Sequence, residues 1–186
     1  MNVLTNMKYF SLVEYKIQFI KIIYFTGFIT AFSLIFFILN GLCNPKITAI
    51  LFAHNPLFNC FIHADFGHLF NNITLLMALL IVKENHNLTL SNLLVYAILV
   101  SVICTPFVVF GFTEQMIGIS GLVYLLFTKL LLSIRIKYVF KLVLFFLVIG
   151  EINAIGNNDQ TSHLAHLIGI VTGCLIYIRK KRNGEK

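Results

Sequence analysis

The sequence predicts an all-α membrane protein, a bundle of six transmembrane helices with its N- and C-termini in the cytoplasm. Three observations predict this fold class: an apolar composition, six apolar runs, and basic residues concentrated on one side. Of the 186 residues, 59% are hydrophobic and only 11% are charged, and the mean hydropathy is +0.90. A soluble domain of this size does not need so much apolar surface, so the bilayer is the expected solvent for one domain over 1–186.

The apolar runs define the expected spans. They cover 22–39, 69–82, 93–112, 119–134, 138–149 and 164–178. Several are near or below the roughly 17 residues that a helical span needs, so their limits are approximate. Because further runs follow the first one, we do not expect a cleaved signal peptide. Residues 1–16 are expected to form a cytoplasmic or interfacial N-terminal segment.

The basic residues orient the spans. With a cytoplasmic N-terminus, all but one of the 14 Lys and Arg residues fall inside, the exception being Lys46. This positive-inside pattern predicts a multi-pass integral membrane protein, located in the inner membrane if the host is bacterial. The net charge of +7 therefore reflects topology. We expect the basic cytoplasmic tail at 179–186 to contact anionic lipid, and we expect no nucleic-acid partner.

Two polar side chains stand at the start of the second span. His68 and Asn72 are spaced i, i+4, so on a helix they share one face. Polar groups at this depth are costly unless they face protein or a water-filled cavity. Each could simply bond a neighbouring helix. Both are predicted at the outer end of the bundle, at the depth of Ser120 and His166, and this shared level favours a functional site.

Ser120 and His166 are the candidate reactive pair. Ser120 opens the fourth span between Gly118 and Gly121, where the free N–H groups of a helix start suit an oxyanion. His166 begins the sixth span and is followed by small residues that allow close helix packing. If the fourth and sixth spans are neighbours, the imidazole can reach the hydroxyl. A capping serine and a structural histidine are the alternative explanation.

Three ordered motifs carry a resemblance to a known family. They are HADFGHLFNN at 63–72, GISG at 118–121, and AHLIG at 165–169 with a further glycine at Gly173. In a six-span frame, these motifs resemble those of the rhomboid intramembrane serine proteases, from the first span to residue 178. The family's Trp-Arg pair in the first outer loop is missing, since the chain contains no tryptophan.

The resemblance assigns roles to individual residues. It implies that Ser120 is the nucleophile and His166 the general base of a Ser-His dyad, and that His68 and Asn72 donate hydrogen bonds to the oxyanion. The supporting positions are a stacking ring, a first-loop histidine and the glycine of the serine motif: Tyr124, His63 and Gly118. His163, one turn before His166, lacks the family's spacing to the glycines.

The implied activity is that of an endopeptidase cutting single-pass membrane proteins near the outer membrane face. No carboxylate is expected beside His166, because Asp65 and Asp159 are in loops, so slow turnover is expected. Residues 150–162 are predicted to form a polar, mobile outer loop. This loop and the fifth span are the candidates for a moving lid and a substrate gate.

Several alternatives stay open or are disfavoured. A catalytically inactive rhomboid-like protein that binds membrane helices is the main rival, followed by a small transporter. The chain has no HExxH motif and no paired aspartates within spans. A metal held by the histidines of the outer side would lack a carboxylate or thiolate ligand, so no metal or other cofactor is expected. Pairing of Cys43 with Cys60, the substrate's identity and the oligomeric state are left undetermined.

Overall fold

The computed structural model describes residues 12–42, 55, 57–63, 65–82, 85, 88–109, 118–133, 137–156 and 163–183. Within these residues the chain forms six α-helices and a short 3₁₀ turn at Asn59–Phe61, and no strand. The helices are α1 Leu12–Leu42, α2 Phe66–Ile81, α3 Leu90–Val109, α4 Ser120–Ser133, α5 Lys137–Gly156 and α6 His163–Arg182. The predicted all-helical architecture is confirmed. The orientation of the termini stays a prediction.

The helices differ in how far they can reach across a bilayer. Among the described residues, the segments Lys16–Leu39 and Leu90–Phe107 are long and apolar enough to cross it, whereas α2 and α4 are shorter apolar helices. With 14 residues, α4 is only about 21 Å long at 1.5 Å per residue. A typical hydrocarbon core is about 30 Å thick. If its inner end is near the cytoplasmic surface, α4 begins below the outer headgroups.

The short helix α4 is the centre of the bundle. Nine of its 14 residues are buried, and Leu122, Leu125 and Leu126 are almost fully enclosed. Helices α1 and α5, in contrast, expose large apolar side chains such as Phe19, Tyr24 and Phe146. Contiguous exposed apolar surface of this kind suits contact with lipid rather than with water. The arrangement therefore places polar groups on α4 inside protein rather than in lipid.

Small residues bring α4 and α6 into close contact. A Cβ atom on Gly169 would collide with the backbone carbonyl of Gly121. One on Gly173 would lie 2.7 Å from the carbonyl oxygen of Leu125. Close backbone approach of this kind is the usual function of small residues in membrane helix pairs. The fourth and sixth spans are therefore neighbours, which is the condition that the candidate pair of Ser120 and His166 requires.

A second polar cluster lies at the opposite end of α4. The Lys129 ammonium donates to Asn85 Oδ1 at 3.1 Å, and Asn85 Nδ2 donates to the Leu79 carbonyl at 2.9 Å. Lys129 and Asn85 are both buried. Because a buried charge is costly without partners, this contact fixes the position of α4 against the end of α2.

The structure bears on two predictions for the outer side of the bundle, the loop at 150–162 and the pairing of Cys43 with Cys60. The predicted loop at 150–162 is wrong over its first half, because α5 continues through Gly156; residues 157–162 are outside the described residues. Cys60 is a free, buried thiol, and burial raises its pKa to about 12. Cys43, its suggested partner, is also outside the described residues.

Candidate active site

Ser120 is the first residue of α4 and is 4% exposed. The preceding residue, Ile119, caps the helix: its carbonyl accepts from the backbone N–H groups of Leu122 at 3.0 Å and Val123 at 3.2 Å. Gly118 has φ of +97°, a conformation that glycine adopts without steric cost. The sharp turn delivers the Ser120 hydroxyl to the start of a helix, where free N–H groups and the helix dipole favour negative charge.

His166 lies in the first turn of α6 and faces α4. Its ring stacks on that of Tyr124, with centroids 4.1 Å apart and an angle of 7° between the planes. The neighbouring residues also meet, since a Cβ on Gly121 would be 3.1 Å from the Ala165 carbonyl oxygen. The structure therefore brings together the ends of α4 and α6 that carry the serine and the histidine.

No hydrogen bond joins Ser120 to His166, both of which are among the described residues. Hydrogen bonds of this kind are often long in the absence of substrate and tighten when it binds. The His166 side chain is 12% exposed, so the imidazole has some access from outside the bundle.

His63 and Asn72 meet beside the turn that precedes Ser120. A Cβ on Gly118 would lie 3.0 Å from His63 Nε2 and 3.4 Å from Asn72 Nδ2. Both nitrogens are buried and have no hydrogen-bond partner among the described residues. Buried polar atoms without partners cost about 1–3 kcal/mol. Atoms left in this state next to a candidate nucleophile are available to a ligand.

The protonation of His63 follows from its surroundings. Burial lowers its pKa to about 4, opposed by the hydrogen bond to the Phe61 carbonyl. His63 Nδ1 lies 3.1 Å from that carbonyl oxygen and therefore donates to it, while Ser33 Oγ lies 3.3 Å from the same nitrogen. In the neutral ring this leaves Nε2 as an acceptor. Such an acceptor can orient the Asn72 amide but cannot itself donate to an oxyanion.

His68 lies one turn before Asn72 on α2 and is partly buried. Its ring centroid is 5.4 Å from that of His63, with the rings nearly perpendicular. Its backbone N–H donates to Asp65 Oδ1 at 2.8 Å, which caps α2. The predicted i, i+4 pair therefore occupies the expected end of the helix, with Asn72 nearer to the turn at Gly118.

Sequence reasoning missed Glu151. This residue of α5 is 7% exposed, and its Oε2 lies 2.9 Å from His166 Nδ1 and 2.6 Å from His163 Nδ1. The Tyr124 hydroxyl donates to its Oε1 at 2.7 Å. The expectation that no carboxylate lies beside His166 is therefore wrong, and so is the reason given for slow turnover. Residue 151 falls in the predicted loop at 150–162, yet an acidic residue adjoining an apolar run is itself a signal of a functional site.

The cluster of Glu151, His163 and His166 also contradicts the expectation that outer-side histidines lack a carboxylate beside them. A carboxylate does accompany outer-side histidines, since ligand atoms of Glu151, His163 and His166 lie within 4.8 Å of one another. A carboxylate with two imidazoles is a known ligand set for transition metals. Direct hydrogen bonds to Glu151 already account for the positions of both rings. His163 thus shares a partner with His166, although only His166 stacks on Tyr124.

Comparison with known proteins gives one match. The family model described as the Rhomboid domain matches residues 53–182, well over half of the 186 residues. The match includes α2 to α6 and every candidate site residue. No curated protein and no solved structure matches the chain.

Proposed function

Because the chain belongs to the rhomboid family, whose members are intramembrane proteases and their inactive relatives, we propose that it is an active serine endopeptidase. It cuts transmembrane-segment substrates near the outer membrane face with Ser120 and His166. The observation that carries this proposal is the meeting of two helix ends: Ser120 begins α4, and His166 of α6 stacks on the same helix one turn later.

The reaction follows from these positions. The Ser120 hydroxyl attacks a peptide carbonyl, an Oγ–C bond forms, and the proton passes to His166 Nε2. The carbonyl electron pair moves onto oxygen. When the carbonyl re-forms, the C–N bond breaks and the imidazolium returns the proton to the leaving amine. Water, deprotonated by the same imidazole, then hydrolyses the acyl-enzyme and regenerates Ser120.

The oxyanion needs donors on the opposite side of the serine from the histidine. The buried Asn72 amide, which lacks a partner among the described residues, supplies one, and the backbone N–H of Ser120 supplies another. His68 is the third proposed donor. Each such donor aimed at the developing charge is worth roughly 10²–10³-fold in rate. His63 supports Asn72, and Gly118 leaves the space that both need.

The proposed substrates are single-pass membrane proteins. A helical peptide hides its carbonyls in intrahelical hydrogen bonds, so helix-breaking residues near the outer face should mark the cleaved segment. The proposed partners are accordingly these substrates and the bilayer, without nucleic acid. The fifth span remains the proposed substrate gate.

Labelling with a serine-directed fluorophosphonate tests the proposal. Purified protein in detergent should become labelled in the wild type and not in Ser120→Ala or His166→Ala. Ser133→Ala is the matched control, because Ser133 is exposed at the other end of the same helix. Absence of labelling in folded wild-type protein would contradict the proposal. Labelling that survives His166→Ala would remove His166 as the base.

One observation favours the inactive alternative: Ser120 and His166 are not hydrogen-bonded to each other. A rhomboid-like protein that only binds membrane helices would keep the helix bundle, but its serine would not react. The same labelling experiment separates the two, since an inactive relative would leave Ser120 unmodified while retaining its thermal unfolding transition.

A further inference from the structure

We propose that Glu151 is a positioning residue for His166, so that the reactive group is a Ser-His-Glu triad rather than a dyad. The inference rests on the proposed function, because it assigns a task to Glu151 only if His166 is the base. The carboxylate comes from α5, whereas the serine and the histidine come from α4 and α6. Three helices would thus contribute to one reactive unit.

The hydrogen bonds determine the tautomer of His166. An ionised carboxylate has only acceptors, so the contact of 2.9 Å between Glu151 Oε2 and His166 Nδ1 requires a proton on Nδ1. The neutral ring then carries its lone pair on Nε2. This nitrogen is the one left to face the serine side of the site. A ring with the proton on Nε2 could not accept the proton of Ser120.

The carboxylate also stabilises the charge that forms on the ring. When His166 accepts the Ser120 proton, it becomes an imidazolium beside a carboxylate. The Glu151 side chain is 9% exposed and that of His166 is 12% exposed. An attraction between charges is larger in such a partly enclosed site than in water. The stabilisation therefore appears in the transition state, where it increases the rate.

Two further donors hold the carboxylate itself in place. His163 Nδ1 lies 2.6 Å from Oε2, and the Tyr124 hydroxyl donates to Oε1 at 2.7 Å. Tyr124 also stacks on the His166 ring, so one side chain restrains both members of the pair. With its two oxygens engaged, Glu151 has little freedom to turn away from His166.

A purely structural function for Glu151 makes a different prediction. If the carboxylate only joined α5 to α6, its loss would reduce the folded fraction and leave the remaining folded molecules fully reactive. If Glu151 positions His166, loss of the carboxylate instead lowers the labelling rate of each folded molecule.

The test measures fluorophosphonate labelling rates of the purified full chain, normalised to the folded fraction, for wild type, Glu151→Gln, Glu151→Ala and Glu151→Asp. In this reaction the Ser120 Oγ–P bond forms, fluoride leaves and the serine proton passes through His166 to solvent. We expect Glu151→Gln and Glu151→Ala to label roughly 10²- to 10⁴-fold more slowly, up to the roughly 10⁴-fold loss that follows removal of a triad carboxylate in soluble enzymes. Glu151→Asp should recover part of the loss. Asn153→Ala, at an exposed position of α5, is the matched control.

Nitrogen NMR of histidine-labelled protein supplies a second readout. The spectrum should show His166, identified by its loss in His166→Ala, with a protonated Nδ1 and an unprotonated Nε2 in the wild type. In Glu151→Ala the tautomers should mix.

The results distinguish failure of the proposed protease function from failure of the positioning function of Glu151. Wild-type labelling that equals Ser120→Ala would contradict the proposed function. Normal wild-type labelling with unchanged rates in Glu151→Gln and Glu151→Ala, or with the proton on His166 Nε2, would overturn the positioning function alone.

Discussion

The contact between α4 and α6 makes a quantitative prediction for Gly173→Ala. The added Cβ would lie 2.7 Å from the Leu125 carbonyl oxygen and 3.0 Å from Thr128 Cβ. Ordinary contact begins at 3.4 Å, so the helices must separate locally by ~0.7 Å. The obstacle is a backbone atom of a fully buried turn, which cannot rotate aside. Overpacking of this kind costs about 1–3 kcal/mol.

The same separation should slow the reaction. Gly173 lies two turns from His166 on the same helix, so tilting α6 away from α4 carries the imidazole away from Ser120. A misplacement of about 1 Å can cost roughly 100-fold in rate. We therefore expect labelling of Gly173→Ala to be about 10- to 100-fold slower per folded molecule, and that of Gly169→Ala slower still because its Cβ meets the Gly121 carbonyl.

Gly27→Ala is the matched control. A Cβ on Gly27, in the middle of α1, would meet nothing within 4 Å. Replacing a helical glycine without a clash should stabilise the protein by about 0.5–1 kcal/mol, with an unchanged labelling rate. Thermal unfolding in detergent and labelling kinetics on the same samples give both quantities. If Gly173→Ala matched Gly27→Ala in stability and rate, close packing of α4 and α6 would not position the reactive pair.

Three further predictions concern single side chains. Gly118→Ala should abolish labelling, because φ is +97° and the new methyl would meet His63 and Asn72; full labelling would contradict this. Tyr124→Phe, which keeps the ring that stacks on His166, should label about tenfold faster than Tyr124→Leu; equal rates would show that the stacking does not contribute to the reaction. Burial lowers the pKa of His63 to about 4, against an ordinary 6.5, so the unfolded chain binds this proton first and stability falls as pH drops from about 6.5 towards 4. The loss should reach about 2 kcal/mol at pH 5 and be absent from thermal unfolding of His63→Gln.

The helices and the proximity of the α4 and α6 ends could be predicted because their signals are local. Apolar runs separated by polar turns gave six helices, and the glycines near Ser120 and His166 indicated the close pairing of α4 with α6. The stacking of Tyr124 on His166 is also present as expected from the resemblance.

Glu151 could not be placed in the same way. The stretch after residue 149 is polar and contains two glycines, which is typical of a loop. In the fold this stretch is helical, and the Glu151 carboxylate accepts bonds from Tyr124, His163 and His166, groups that are distant in sequence. Only the packed bundle brings these partners together, so the acidic residue beside the apolar run was the one local signal for this site.

The division of the Glu151 cluster between two helices links access to reactivity. The carboxylate belongs to α5, while both histidines that donate to it belong to α6. Any motion that separates these helices breaks both bonds at once and leaves the His166 ring held only by its stacking on Tyr124. If α5 moves aside to admit a substrate, His166 lacks its bond to Glu151 for as long as the site is open. The cluster would restore the orientation of His166 only after α5 has closed over the bound substrate.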